Sequence, residues 1–210
     1  FAAADIDSTF SKQGGLVKGS KTAKKTDTGT RVRFWADAQI FTPGATFDLD
    51  EIHARARQTS FLVPGLHLVV TDERTGSVTE FHHSGGISEF CEFLATGSAV
   101  SPTIRLKGKG HFHETVPVLD EQGHMVSREV ERDMAVDIAL SWNDGYELRA
   151  AAFVNIIATP KGGTHVTGFE RALTKTINDQ LRSQKVLKTN EDNVVKDDIT
   201  EGLTAIVTVR

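Results

Sequence analysis

The chain has 210 residues, 39% of them hydrophobic and 25% charged, enough for one large domain or for one domain plus part of another. Its formal net charge of −4 excludes gripping nucleic acid through bulk charge, so such a contact needs a local stripe of Lys and Arg. A single cysteine, Cys91, excludes an intramolecular disulfide and leaves no thiolate metal set, which fits a reducing cytoplasm, and no run approaches the roughly 20 apolar residues of a membrane helix.

The opening FAAADIDSTF carries neither an initiator Met nor a charged-then-apolar signal pattern, and the closing GLTAIVTVR reads as a strand. The expectation is a piece of a longer polypeptide. Between Ser11 and Thr28 the residues are mostly Ser, Thr, Lys and Gly, with Lys12, Lys18, Lys21, Lys24 and Lys25, which predicts a mobile surface loop. TRVRFW alternates through Val32 and Phe34 and predicts a strand. Asp48 and Glu51 have capping-box spacing for a helix over LDEIHARARQTS, with Leu49, Ile52 and Ala56 on its apolar side, ended by Pro64-Gly65.

LHLVVTD and VTEFHH predict two strands joined at Thr75-Gly76. After Gly85-Gly86, the spacing of Ile87, Phe90, Cys91 and Leu94 predicts a short amphipathic helix. Residues 103–119 read as an extended strand and DEQG as a turn. In MAVDIALSW, Met134, Val136, Ile138, Leu140 and Trp142 share a face at period two. Asn143-Asp144-Gly145 signals a hairpin whose returning strand is YELRAAAFVNIIA. KDDITEGL predicts a short helix and TAIVTV a final strand. Strands and helices mixed around an antiparallel core predict an α+β fold, a mixed α/β sandwich.

A long helix is predicted after Gly162-Gly163. At about 100° per residue, Val166, Phe169, Leu173, Ile177 and Leu181 fall on one side, and Arg171, Lys175 and Arg182 roughly opposite. The basic stripe is either a solvated helix face or a surface for nucleic-acid phosphates. The glycine pair has the place of an anion cradle, yet no Gly-Lys-Ser/Thr follows; the plainer expectation is a tight turn with Thr164 capping the helix. His111 and His113, with Glu114, share a strand but lack a third ligand at a recognisable spacing, and His82-His83 point to opposite faces. Motif spacing assembles neither a catalytic set nor a metal site.

The blocks TGTRVRFWAD, RARQTSFLVPGL, GGISEF, SWNDGY, FVNIIATPKGGTHVTGFERAL and DDITEGLTAIVTV resemble the ATPase region of the B subunit of bacterial type II DNA topoisomerases, DNA gyrase and topoisomerase IV. They follow the family's order from about Thr28 to Arg210. The resemblance implies a ribosomal-protein-like transducer domain over 37–210, preceded in 1–36 by the last strands of a GHKL ATP-binding domain. It places Gly29 and Thr30 at the adenine end of an ATP pocket. The family's metal-binding asparagine, its Asp-x-Gly-x-Gly motif and its Gln-Thr-Lys loop do not match any part of the chain.

ATP and Mg²⁺ are therefore implied for the intact enzyme, and neither stable ATP binding nor hydrolysis for this chain alone. The implied partners are duplex DNA touching Arg171, Lys175 and Arg182, the A subunit of gyrase or topoisomerase IV, and a second copy of the B subunit in the ATP-bound state. The implied place is the cytoplasm, at the nucleoid, with no membrane. Two positions depart from the family: Glu170 stands where arginine is frequent after Gly-Phe, and Phe153-Val154-Asn155-Ile156-Ile157-Ala158 tilts toward the topoisomerase IV type over gyrase B. The alternative is a stand-alone nucleic-acid or protein binding module of the same fold without ATPase activity.

Overall fold

The structure, a computed structural model, describes residues 29–30, 32–37, 39–42 and 44–210. The Lys-rich segment from 11 to 28 lies outside the described residues. The chain divides into two units, one ending at Thr46 and one running from Phe47 to Arg210. The expected boundary at residue 36 falls inside the first. The strand expected over TRVRFW is not formed by its described residues: Val32, Phe34 and Trp35 are exposed. Alternation makes a strand only where a neighbouring strand takes its N–H and C=O groups. Asp37 instead opens a turn, its carboxylate accepting from Gln39 N and its carbonyl from Ile40 N.

The second unit begins with α1 (Leu49–Leu62), capped by Asp48, whose side chain accepts from Asp50 N and Glu51 N. Its expected apolar side is only half-buried, and Ile52 is exposed; burial concentrates at the C-terminal end in Ser60, Phe61 and Leu62. The antiparallel strands β1 (His67–Asp72) and β2 (Ser77–His82) follow, then α2 (Ile87–Leu94) with Ile87, Phe90 and Cys91 buried as their spacing predicts. His82 is exposed while His83 packs its ring, tilted, against Phe61, so the pair does point two ways.

The remaining strands, β3 (Ile104–Leu119), β4 (Met125–Trp142), β5 (Arg149–Val154), β6 (Ile157–Ala158) and β7 (Leu203–Val209), form one sheet in the order β3-β4-β7-β5-β6. Helices α3 (Thr164–Ser183) and α4 (Lys196–Thr200) lie between β6 and β7 in sequence. All pairings are antiparallel except β5 with β7, which is parallel. The hairpin expected at Asn143-Asp144-Gly145 is therefore absent, because β7 sits between β4 and β5. Every residue of β7 is buried, so this apolar strand is stable only with a neighbour on each edge. The Asn-Asp-Gly segment ties loops together: Asn143 N donates to Gly202 O, Asp144 accepts from Ser98 N, and Asn143 Oδ1 accepts from Gly145 N.

The sheet carries helices on both faces. Ala139, Phe153 and Ile206 pack with Phe61 and Leu62 of α1 and Phe90 and Cys91 of α2. On the other face Leu140, Leu203 and Ala205 pack with Phe169 and Leu173 of α3. Since β7 pairs only with Val136–Trp142, the segments 109–119 and 125–135 run on as a two-stranded ribbon. The expected extended strand over 103–119 is β3, but the expected start of β4 at Met134 misses residues 125–133 of the ribbon. Residues 125–133 have solvent on both sides and need no apolar alternation, so the pattern is silent there.

Candidate functional site

The long helix α3 is the element on which the sequence concentrates its candidate chemistry. Gly162, at φ +75°, supplies the left-handed turn that delivers the chain to the helix, and Gly163 occupies the cap position. Thr164 does not cap: it is the first helical residue, and no side chain accepts at this end. The nearby polar groups satisfy one another. Thr159 donates its hydroxyl proton to Ala152 O at 3.0 Å, so His165 Nε2, 3.0 Å away, is the donor to Thr159 Oγ1. The glycine pair thus serves a turn that locks β5 to the helix start.

The apolar stripe Val166, Phe169, Leu173, Ile177 and Leu181 is half-buried throughout, as its period demands. The solvent side of α3 borders a groove of about 470 Å³, completed by Asn193, Val194 and Lys196 from the segment leading into α4. Arg171 and Lys175 line it one turn apart. Lys175 pairs with Asp179 and Lys196 with Glu170, so among the described residues Arg171 is the groove's one cation without an ionic partner.

Arg182 lies two further turns along the helix and is engaged elsewhere. Its guanidinium donates to Lys188 O at 3.1 Å, Glu191 O at 2.9 Å and Asn193 Oδ1 at 2.6 Å, fastening the 188–193 loop to the helix. The structure therefore brings two of the three predicted cations together and commits the third to the loop. Asn178 and Lys196 went unnoticed in the sequence. Asn178 falls beside the apolar stripe, and its i, i+4 relation to Thr174 is the only local hint of its role; Lys196 reaches the groove through tertiary structure alone.

Gly29 and Thr30 are exposed, and a Cβ on Gly29 would meet nothing within 4 Å. His111 does not combine with His113. Its Nδ1 lies 2.6 Å from Asp133, directly opposite on β4, while His113 faces Glu131. Among the described residues no three His, Cys, Asp or Glu side chains are grouped to hold a metal ion, and no helix is long and apolar enough to cross a membrane.

Cys91 is buried, its Sγ 3.6 Å from Ser141 Oγ and 3.5 Å from Thr204 O, and burial pushes its thiol above the ordinary range. Arg105 forks onto Asp137 at 2.9 and 2.8 Å, which raises the arginine further.

Comparison with known proteins fits this architecture. The gyrase B protein of Enterococcus faecalis is 34% identical over 202 residues, 95% of this chain and 28% of that protein. Its counterpart in Streptococcus pyogenes serotype M3 is 36% identical over the same extent. The chain thus spans 28% of the length of these relatives. The 43K ATPase domain of Thermus thermophilus gyrase B, solved with an aminocoumarin, superposes with a TM-score of 0.62 at 28% identity, over 82% of this chain and 42% of that one. The topoisomerase IV ATP-binding domain of Francisella tularensis, at 15% identity and a TM-score of 0.58 over 84% of this chain and 41% of that one, shares the fold. The family model described as DNA gyrase B matches residues 86–210, from the start of α2 through the whole sheet and α3, and on that match the chain belongs to the DNA gyrase B family.

Proposed function

We propose that this chain is part of the ATPase subunit of an ATP-dependent type II DNA topoisomerase, of gyrase B or topoisomerase IV type, relaying ATP binding and dimerisation to DNA strand passage. The observation that carries this reading is the family match over 86–210, the segment that holds the five-stranded sheet and α3. The 28% identity to a gyrase B ATPase domain supports it. In this reading residues 37–210 are the transducer and residues 1–36 the end of the nucleotide-binding domain. The intact enzyme works on duplex DNA with the A subunit of gyrase or topoisomerase IV, dimerises through its B subunits, and acts at the nucleoid.

The residues described do not by themselves fit ATP or Mg²⁺. Gly29 and Thr30 stand exposed, and among the described residues no acidic cluster is gathered for a metal. Nucleotide and metal belong to the intact protein, with Gly29 and Thr30 at the adenine end of its pocket.

What the chain's own residues offer is the α3 groove. Arg171 is available to a DNA phosphate without breaking an ion pair, Lys175 after releasing Asp179, and Arg182 by holding the loop that walls the groove. The relay requires two arrangements of the transducer that nucleotide biases by their difference in free energy.

The test uses the full-length protein together with the A subunit of its enzyme. Supercoiled and catenated plasmids are incubated with ATP, with a non-hydrolysable analogue, and without nucleotide. ATP-dependent change of linking number or release of catenanes is the expected result. Nucleotide-independent DNA binding with no change in topology would overturn the proposal in favour of a binding module.

A further inference from the structure

On the sheet face opposite α3, beside the C-terminal end of α1, lies a shelf of about 390 Å³. Its floor is Ala135, Asp137 and Thr208, and its rim carries Lys107, Lys109 and Arg210. The floor is rigid because three strands pair across it: Lys107 lies opposite Asp137, Lys109 opposite Ala135, and Asp137 opposite Thr208. Arg210 N and O each exchange a 2.8 Å hydrogen bond with Ala135, and its guanidinium donates to Leu62 O at 3.4 Å, so this cation is held at the rim by its backbone and by the end of α1.

Among the described residues Asp137 is the only acid lining the shelf, and the Arg105 fork already neutralises it. Lys107 and Lys109 are exposed and form no ion pair among the described residues. They sit two residues apart on one strand, so both point to the same face about 6.8 Å from each other. The acidic residues of this face, Glu129, Glu131 and Asp133, begin beyond Lys109 along the ribbon, where Asp133 is paired with His111. The cationic stretch is therefore short and bounded: three side chains around a floor of small residues, with their local counter-ion already satisfied.

We propose that this shelf is a second phosphate-binding surface, taking the phosphodiester backbone of a nucleic acid on the sheet face opposite α3. It rests on the reading above only for the source of the phosphate; the cations and the floor stand on the structure alone. A duplex in the α3 groove and one on the shelf lie on different sides of the sheet, so the two surfaces serve two contacts. Lysines on a rigid strand, with no base-reading side chains around them, bind phosphate without regard to sequence.

The test measures binding of a 30-base-pair duplex to the 210-residue chain by fluorescence anisotropy across a KCl series. Lys107→Ala/Lys109→Ala is compared with Lys107→Arg/Lys109→Arg and with Arg171→Ala/Lys175→Ala, all checked for an unchanged thermal midpoint. Two lost phosphate contacts at ~0.9 each predict that the slope of log K against log salt falls by about 1.8 in the alanine pair and is restored in the arginine pair. An unchanged slope in the alanine pair overturns the shelf, while a loss confined to the Arg171/Lys175 variant would leave the α3 groove standing without it. Lysine-dependent binding of tripolyphosphate with no binding of duplex would overturn the nucleic-acid occupant.

Discussion

The side chain of Asn178 pairs with both backbone groups of Val194: its Nδ2 donates to Val194 O at 2.9 Å, and its Oδ1 accepts from Val194 N at 2.8 Å. A third bond, from Nδ2 to Thr174 O, holds the amide against its own helix. A buried amide thereby does for the α3–α4 connection what a strand partner does in a sheet. Asn178→Ala leaves two backbone groups of Val194 unpaired, and unfolding in urea should show a loss of about 2 kcal/mol. A midpoint unchanged from the native chain would mean that water replaces the amide at no cost.

Arg171 and Arg182 should separate cleanly, although both belong to the same predicted stripe. Arg182→Ala removes the donors to Lys188 O and Glu191 O and should cost about 1–2 kcal/mol of stability, with faster hydrogen exchange in 188–193. Arg171→Ala touches no such network and should stay within about 0.5 kcal/mol while weakening duplex binding. Equal losses of stability in the two variants would mean that the arginines share one structural role.

Gly202 has φ +66°, and a Cβ there would stand 2.4 Å from Asn143 O and 2.6 Å from Gly145 O. Both neighbours are backbone, so neither turns aside. Gly202→Ala should destabilise the unit by at least about 2 kcal/mol, read as a lowered thermal midpoint. A midpoint equal to that of the native chain would show that the 143–145 loop moves freely.

Cys91 should be silent toward a thiol-titrating disulfide reagent in the folded chain and react once per chain after denaturation. Its folded pKa is raised by burial, so the unfolded thiol ionises first, and stability declines as pH climbs above the ordinary value of 9.0. Cys91→Ser should flatten that alkaline decline. Prompt labelling at neutral pH in native buffer would contradict the burial.

At the acid end the informative group is Asp72, held below its ordinary 3.8 by hydrogen bonds from the Arg74 side chain and backbone. A depressed carboxylate contributes stability that is complete above the unfolded pKa and is lost as pH falls through the lower folded value. Asp72→Asn should therefore reduce the steepness of acid unfolding below pH 3.8. Identical acid limbs in the two proteins would show that the Arg74 contact contributes nothing in solution.

Periodicity carried much of the fold because burial on one face writes itself into spacing. Ile87, Phe90 and Cys91 announce α2, and Val166 to Leu181 announce α3. It failed where burial is two-sided or absent. β7 is buried on both faces, so nothing local told that it divides β4 from β5, and Asn143-Asp144-Gly145 imitates a hairpin turn while binding Gly202 and Ser98. Ribbon residues 125–133 have no buried face to signal. In the groove, Arg171 and Lys175 could be read from one helix, but the engagement of Arg182 with Lys188 and Glu191 depends on a loop whose path follows from packing.

The place of β7 in the sheet has a consequence for how the polypeptide is made. The strand that joins the β3–β4 pair to the β5–β6 pair is the last in sequence among the strands of the described residues. Until residues 203–209 leave the ribosome, β4 and β5 each present an open edge, and the nascent chain holds two half-sheets with no strand between them, Ala139 of one and Phe153 of the other sharing the core of α1 and α2. Synthesis must run almost to Arg210 before either half gains its central partner. A pause upstream of Leu203 therefore prolongs the interval in which a neighbouring nascent chain can claim those edges.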